Sequence, residues 1–241
     1  RVLSELEGGQ DLVIVNAEVK SLDLLSVIEE RRLKFDTDRV YRAAERDQMF
    51  ADTTAYLSFI GCVVIRRATW LSRERSAYYG SLFIHVGVIF QRPALINVKV
   101  IAQPLITIRY GNAMWTSRSF EIWMFKWPQL VWSFPDFSDA VKSKICHREP
   151  WRTGKALFKQ RALGAYTQVE FQRLWPADVG GIRRPLAFLL SVFPASLANA
   201  VLVLYFSLIN PSPLVVHDLL FSRTAGALSM LASRVVNVLK R

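Results

Sequence analysis

Cysteine is nearly absent: Cys62 and Cys146 are the whole complement of 241 residues. That excludes a disulfide framework, and no Cys/His spacing suits a zinc site. One unframed pair of thiols points to a reducing compartment. Histidine is also scarce, with three residues, and charged residues make up only 21% of the chain. With about half the residues apolar, a disordered chain is excluded. The length suits one large domain, or a domain with an appendage, and supplies enough apolar material for a core. Several signatures are missing too. There is no G-x-x-x-x-G-K-S/T loop, no G-x-G-x-x-G after a strand, no G-x-S-x-G elbow and no nucleic-acid motif. No internal repeat or low-complexity tract appears. No basic-then-apolar leader precedes the first elements, so no signal peptide is visible.

Acidic residues are the other deficit, 20 against 31 basic ones, and the imbalance is uneven. Residues 1–60 carry a net charge of −4 and residues 61–241 a net charge of +15. A basic second part suits a polyanionic partner: nucleic acid, an anionic membrane surface or a diphosphate substrate. A solvated basic surface is the plainer reading of charge alone. The basic residues are not gathered in one run, which argues against nucleic acid.

Val2 to Leu6 reads as the end of a helix stopped by Gly8-Gly9. Leu12 to Asn16 is a continuous apolar run, as in a strand buried on both faces of a parallel sheet. Such a strand needs neighbours. Either an N-terminal part of the fold precedes residue 1, or later strands supply them. Asp38 to Phe50 reads as a helix capped by Asp38. Tyr56 to Ile65 reads as a strong strand with Gly61 inside it. Leu82 to Phe90 fits a buried strand or a buried helix equally. Val98–Ala102 and Leu105–Arg109 look like two strands split by Gln103-Pro104. Ser117 to Lys126 starts a helix that Pro128 should end or kink. Asp139 to Cys146 is a short helix, and Lys155 to Leu174 a longer, basic, amphipathic one. The pattern as a whole is α/β.

The character changes at Arg183-Arg184. No charged residue occurs from Pro185 to Val216, a run of 32 positions. About 20 apolar residues are enough to cross a bilayer. Asn210-Pro211-Ser212-Pro213 is a turn signal, dividing the region into helices near 186–209 and 214–239. Basic residues flank the pair on both sides, so both ends would face the cytoplasm. That favours a re-entrant or interfacial hairpin over a single span. A buried helical pair in a soluble protein is the alternative.

Three places could hold chemistry. Asp36-Thr37-Asp38 has the form of a metal-holding pair, but no apolar strand precedes it, and a helix cap accounts for it more simply. His85 sits in the apolar run Phe83-Ile84-His85-Val86, after Tyr78-Tyr79-Gly80-Ser81. An imidazole there serves as a general base or metal ligand, or is a hydrogen-bonded core residue; the residues alone favour the core role. The stretch 108–118 offers Arg109 for phosphate oxygens, Asn112, and Trp115 as a flat face for a sugar ring. It leads into Phe120, Trp123, Phe125, Trp127, Trp132 and Phe134, a stripe best read as core packing.

In order and content, four segments resemble the bacterial family 2 glycosyltransferases, in particular the abequosyltransferase-like branch of O-antigen and capsule assembly. They are DLVIVNAEV at 11–19, LSFIGCVVIRRATW at 57–70, YYGSLFIHVGVIF at 78–90 and IRYGNAMWTSRSFEIW at 108–123. Together they span about residues 10 to 135. The resemblance implies a GT-A-like sheet, here partial, followed by amphipathic and apolar C-terminal helices. Together with the charge and hydropathy of the remainder, it divides the chain into an acceptor-side part (1–150), a basic connecting helix (151–184) and a membrane-associated helical hairpin (185–241). It implies inverting transfer of a hexosyl or deoxyhexosyl group from a nucleotide-sugar donor to a polyprenyl-diphosphate-linked saccharide in lipopolysaccharide biosynthesis. The place would be the cytoplasmic face of the inner membrane. A divalent ion, Mg or Mn, would offset charge on the leaving diphosphate. The family's nucleotide strand and Asp-rich motif normally come before the part matching 11–19, so the resemblance implies an N-terminally truncated chain. Relatives carry an acidic pair near Ile84-His85; with no carboxylate here, His85 becomes the expected base or metal ligand. Gly80 and Ser81 would admit the acceptor, and Trp70 would form part of its wall. Arg109 is the expected diphosphate contact, on charge. The alternative is a non-catalytic, membrane-bound interaction module that keeps half of such a fold.

Overall fold

The computed structural model describes residues 1–111 and 118–239, except for the side chains of residues 6 and 7. It is mixed α/β and divides into two compact units. Residues 1–110 and 126–148 form the first; 111–125 and 149–241 form the second.

The first unit is built on a five-stranded mixed sheet. α1 (Val2–Glu7) ends at Gly8-Gly9, as the glycines lead one to expect. β1 (Leu12–Lys20) follows, with Leu12, Val13, Ile14 and Val15 almost completely buried. Each such aliphatic side chain contributes about 1.5–3 kcal/mol by leaving water. The neighbours of β1 all come from later in the chain. β2 (Val27–Glu29) and β4 (Val63–Ile65) pair antiparallel with the two ends of one edge. β5 (Asn97–Arg109) pairs parallel along the other, and β3 (Arg39–Arg42) lies antiparallel beyond β5.

The expected break at Gln103-Pro104 exists, but inside one strand. The register runs Val15↔Ile101 and then Ala17↔Ile106, so residues 102–105 of β5 face the single Asn16. Proline donates no hydrogen bond to a ladder, and a bulge accommodates it. The Asn16 side chain fills the gap. Its Nδ2 donates to the carbonyls of Leu33 and Ala102, both at 2.8 Å. Its Oδ1 accepts from the N–H groups of Ala17 and Leu33, both at 2.9 Å. All the capacity of a buried amide is used.

Other expectations change. Asp38 caps no helix: it precedes β3, and its Oδ1 accepts from the Ala102 N–H at 3.0 Å while Arg1 pairs with Oδ2 at 2.7 Å. The helix begins later, as α2 (Arg46–Thr53). The run Tyr56–Ile65 is mostly two 3-10 turns, Tyr56–Ser58 and Ile60–Cys62, with only β4 extended. Local β propensity yields there to burial of Leu57 and Cys62 against the sheet unit. α3 (Arg67–Ser72) comes next, and Leu82–Phe90 resolves to a helix, α4 (Ile84–Phe90).

The tryptophan-rich stretch is interrupted rather than continuous. α5 (Ser119–Glu121) runs into a π-helical turn (Ile122–Lys126) and then α6 (Trp127–Ser133), whose first turn holds Pro128. Pro128 thus starts a helix, where its missing N–H costs nothing. α7 (Asp139–Ile145) carries the Ser138 side chain at its N-cap. Phe50 stacks on Phe137 at 4.0 Å and meets the edge of Phe90 at 4.8 Å in the first unit's aromatic core.

The second unit is helical. The basic stretch is not one connecting helix: α8 (Gly154–Ala162) and α9 (Gln168–Leu174) are separated at Gly164, where φ is +76°. α9 opens with a capping box, the Thr167 hydroxyl and backbone N–H both meeting Glu170. The apolar region is four helices instead of a hairpin: α10 (Arg183–Val192), α11 (Ala195–Leu204), α12 (Pro213–Leu220) and α13 (Ala227–Leu239). A π-helical turn, Tyr205–Ile209, extends α11. At their centre Asn199, fully buried, donates to the carbonyls of Ala162 and Leu219 and accepts from the Ser229 hydroxyl at 2.6 Å. No single described helix is long and apolar enough to cross a membrane.

Candidate functional site

Segments carrying the resemblance are joined at Leu57, the first residue of segment 57–70, and at Tyr56 just before it, and β4 within that segment pairs with β1. The Tyr56 hydroxyl donates to the Val15 carbonyl of β1 at 2.7 Å. The next residue, Leu57, accepts at its carbonyl from His85 Nε2 at 2.6 Å. A carbonyl only accepts, so this bond places the ring proton on Nε2 and leaves the lone pair on Nδ1. The residue is 5% exposed, and burial lowers the His85 pKa below its ordinary value. At neutral pH the imidazole is therefore uncharged.

α4 is held at both ends. Residues 85–90 are all buried, as expected of a helix apolar on every face. At its C-terminal end Arg73 donates from Nε to the Val88 carbonyl and from Nη2 to the Gln91 carbonyl, both at 2.6 Å. Those carbonyls have no partner within the helix, and a guanidinium satisfies two of them at once. At the N-terminal end lies the turn 78–83. The Tyr78 carbonyl accepts from the Ser81 hydroxyl at 2.7 Å, and Ser81 Oγ accepts from the Phe83 N–H at 3.1 Å. Gly80 takes φ +79° and Leu82 takes φ +70°. A left-handed leucine costs about 1–2 kcal/mol. Strain of this kind collects where the surrounding structure overdetermines a loop. Nothing stands within 4 Å of a Cβ placed on Gly80, so the turn is open on that side. The Tyr78 ring, by contrast, packs directly on Gly87 of α4, where a Cβ would clash with it.

The candidate residues thus fall into groups. Gly80, Ser81 and His85 belong to one turn-and-helix unit. Trp70 is half-buried on α3, and its carbonyl accepts from Arg75 Nη1 at 3.2 Å. Arg109 is exposed at the carboxyl end of β5, in register with Lys20 at the end of β1. Ligands of open α/β sheets bind outside such carboxyl ends. Its charge acts on Asp23, whose carboxyl is held below its usual pKa first by the Ser21 hydroxyl. No hydrogen bond joins Arg109 to Trp70, Gly80, Ser81 or His85 among the described residues. Asn112 and Trp115 lie outside the described residues.

Sequence reasoning missed Lys126, Arg73 and Tyr78. Lys126 Nζ donates to the Gly80 carbonyl at 2.7 Å from 46 positions away. No local pattern announces such a contact. The Tyr78–Gly87 packing had a signal, a glycine inside an apolar helix.

The described residues do not fit a resident divalent ion. No group of three His, Cys, Asp or Glu among them is placed to hold one. The Asp36 side chain is fully exposed, and Asp38 is committed to Ala102, Arg1 and Lys99. An open cleft of about 600 Å³, lined by Arg46, Arg92, Pro93, Ala94 and Asp136, contains none of the candidate residues. Its arginines are both paired with Asp136. No family model, curated protein or solved structure matches the chain.

Proposed function

We propose that the protein is a glycosyltransferase acting on a lipid-linked saccharide in bacterial surface polysaccharide synthesis, at the cytoplasmic face of the inner membrane. The observation that carries this reading is the junction at Tyr56-Leu57. With the pairing of Leu12–Ile14 against Val63–Ile65, it draws segments 11–19, 57–70 and 78–90, which resemble such enzymes, into one hydrogen-bonded unit ending in a neutral imidazole. In this reading an acceptor hydroxyl reaches the open side of the turn at Gly80 and Ser81. Its oxygen attacks the anomeric carbon of the nucleotide-sugar. The new C–O bond forms as the bond to the nucleoside diphosphate breaks, and that group leaves with the electron pair. The hydroxyl proton passes to His85 Nδ1, since Nε2 is already committed to Leu57. Trp70 supports the sugar, and Arg109 meets diphosphate oxygens. Donor binding and the Mg or Mn ion are not assigned to described residues.

The burial of His85 favours the second reading, a non-catalytic, membrane-bound interaction module. Sugar transfer separates the two. The protein is offered a panel of nucleotide-sugars with a polyprenyl-diphosphate-linked saccharide, and products are followed by mass spectrometry. His85→Gln keeps an N–H donor for Leu57 but has no base. Transfer by the parent and a loss of about 100-fold or more in the variant are expected. Unchanged turnover in the variant removes His85 as base. The assay uses the full-length protein, with the upstream donor-binding part that the resemblance implies, and no transfer by that protein from any donor selects the second reading.

A further inference from the structure

The outward faces of two C-terminal helices are apolar in a way that neither the core nor sugar transfer uses. α10 buries Ala187 and Ser191, yet Leu186 and Leu189 are exposed, continuing from exposed Ile182 at its start. α13 buries Ser229, Ala232 and Val236 and exposes Leu228, Leu231, Val235 and Val238. That second set falls at i, i+3, i+7 and i+10, a continuous stripe along one side. A helix on a water-facing surface normally turns polar residues outward.

Charge identifies what covers these stripes. Residues 183–239 contain Arg183, Arg184, Arg223 and Arg234 against Asp218 alone. Arginines beside an apolar face match a layer of anionic headgroups over hydrocarbon.

Geometry decides the mode. α10 and the extended α11 are together apolar enough to cross a bilayer but are bent by 92° at their break. The arms, Arg183–Val192 and Ala195–Ile209, reach about 15 Å and about 22 Å at 1.5 Å per residue. Neither spans a hydrocarbon core of about 30 Å. α11 is also fastened by Asn199 to α8, α12 and α13. Straightening it into a span would strip those buried groups of partners.

We infer that α13 docks in the plane of an anionic bilayer surface, its stripe at the headgroup–acyl boundary and Arg234 at phosphate level. This specifies the membrane part of the reading above. It needs no turnover, so lipid binding and sugar transfer can fail separately.

The test is co-sedimentation of the whole chain with phosphatidylcholine vesicles, with or without about one-third phosphatidylglycerol. Binding to the anionic vesicles is expected to exceed that to neutral ones by about tenfold or more. Leu231→Ser combined with Val235→Ser changes only exposed positions. It should weaken anionic binding by about tenfold or more with an unchanged circular dichroism spectrum. An Asn210→Cys variant in a Cys146→Ser background should react with a membrane-impermeant maleimide in intact vesicles. The inference is overturned by absence of anionic binding, by equal binding to neutral vesicles or by binding unaffected in the folded double variant. A dimer dissolved by the double variant, without lipid binding, overturns it in favour of self-association. Protection of position 210 until detergent is added overturns the in-plane mode.

Discussion

Asn16 supports the sheet on which the candidate site stands, and its replacement gives a sharp test. Four backbone groups depend on one side chain: the carbonyls of Leu33 and Ala102 and the N–H groups of Ala17 and Leu33. An orphaned buried group costs about 1–3 kcal/mol. A water entering the space left by alanine would recover part of that. Asn16→Ala should therefore cost about 3–5 kcal/mol, a large share of the 5–15 kcal/mol typical of a folded domain. Asn16→Asp is the more telling variant because it keeps the shape. The new carboxylate still accepts from two N–H groups but faces two carbonyls with no proton to offer. Repulsion and burial raise its folded-state pKa above the unfolded value near 4. A raised pKa means that stability is retained below the unfolded value and lost as pH climbs toward the folded one. The stability deficit of Asn16→Asp should thus grow from about pH 4 upward, whereas that of Asn16→Ala should stay flat. Urea unfolding followed by tryptophan fluorescence over this range measures both. A pH-independent deficit for Asn16→Asp, or a loss under about 1 kcal/mol for Asn16→Ala, would refute the assignment of Asn16 as the filler of the bulge.

Two further outcomes follow from buried groups. Asn199→Leu leaves the buried Ser229 hydroxyl without its acceptor, so combining it with Ser229→Ala should recover about 1 kcal/mol or more, because removing both partners costs less than removing one; additive effects in a double-mutant cycle would argue against the contact. His85 has its pKa lowered by burial, so its neutral form contributes stability that is present above the unfolded value near 6.5 and lost as pH falls below it. The stability gap between the parent and His85→Gln should narrow on acidification, by at most about 1.4 kcal/mol per pH unit for one proton; thermal melts between neutral and mildly acidic pH that stay parallel would show a ring open to water.

Part of the candidate site could be read directly from residue order. Leu82–Phe90 was legible as a buried element, and His85 stood out as the polar residue in that run. What the order could not show was which way His85 is used. Leu57 lies 28 residues upstream, and only the fold brings its carbonyl to Nε2, fixing the tautomer. Asp38 illustrates the reverse. Locally it is a plausible helix cap, yet the backbone it serves is Ala102, which no window around residue 38 contains.

The residues alone determined the α/β character, the double-sided burial of β1, the stop after α1 and the change to an apolar, basic C-terminal region. These depend on periodicity and on glycine and proline, whose effects act within a few residues. Tertiary structure decided that β1 draws its neighbours from strands downstream, that Gln103-Pro104 is absorbed as a bulge, and that the apolar tail folds into four helices. Each of those outcomes is settled by groups far apart in sequence competing for hydrogen bonds and buried area, a competition that exists only once the chain has closed on itself.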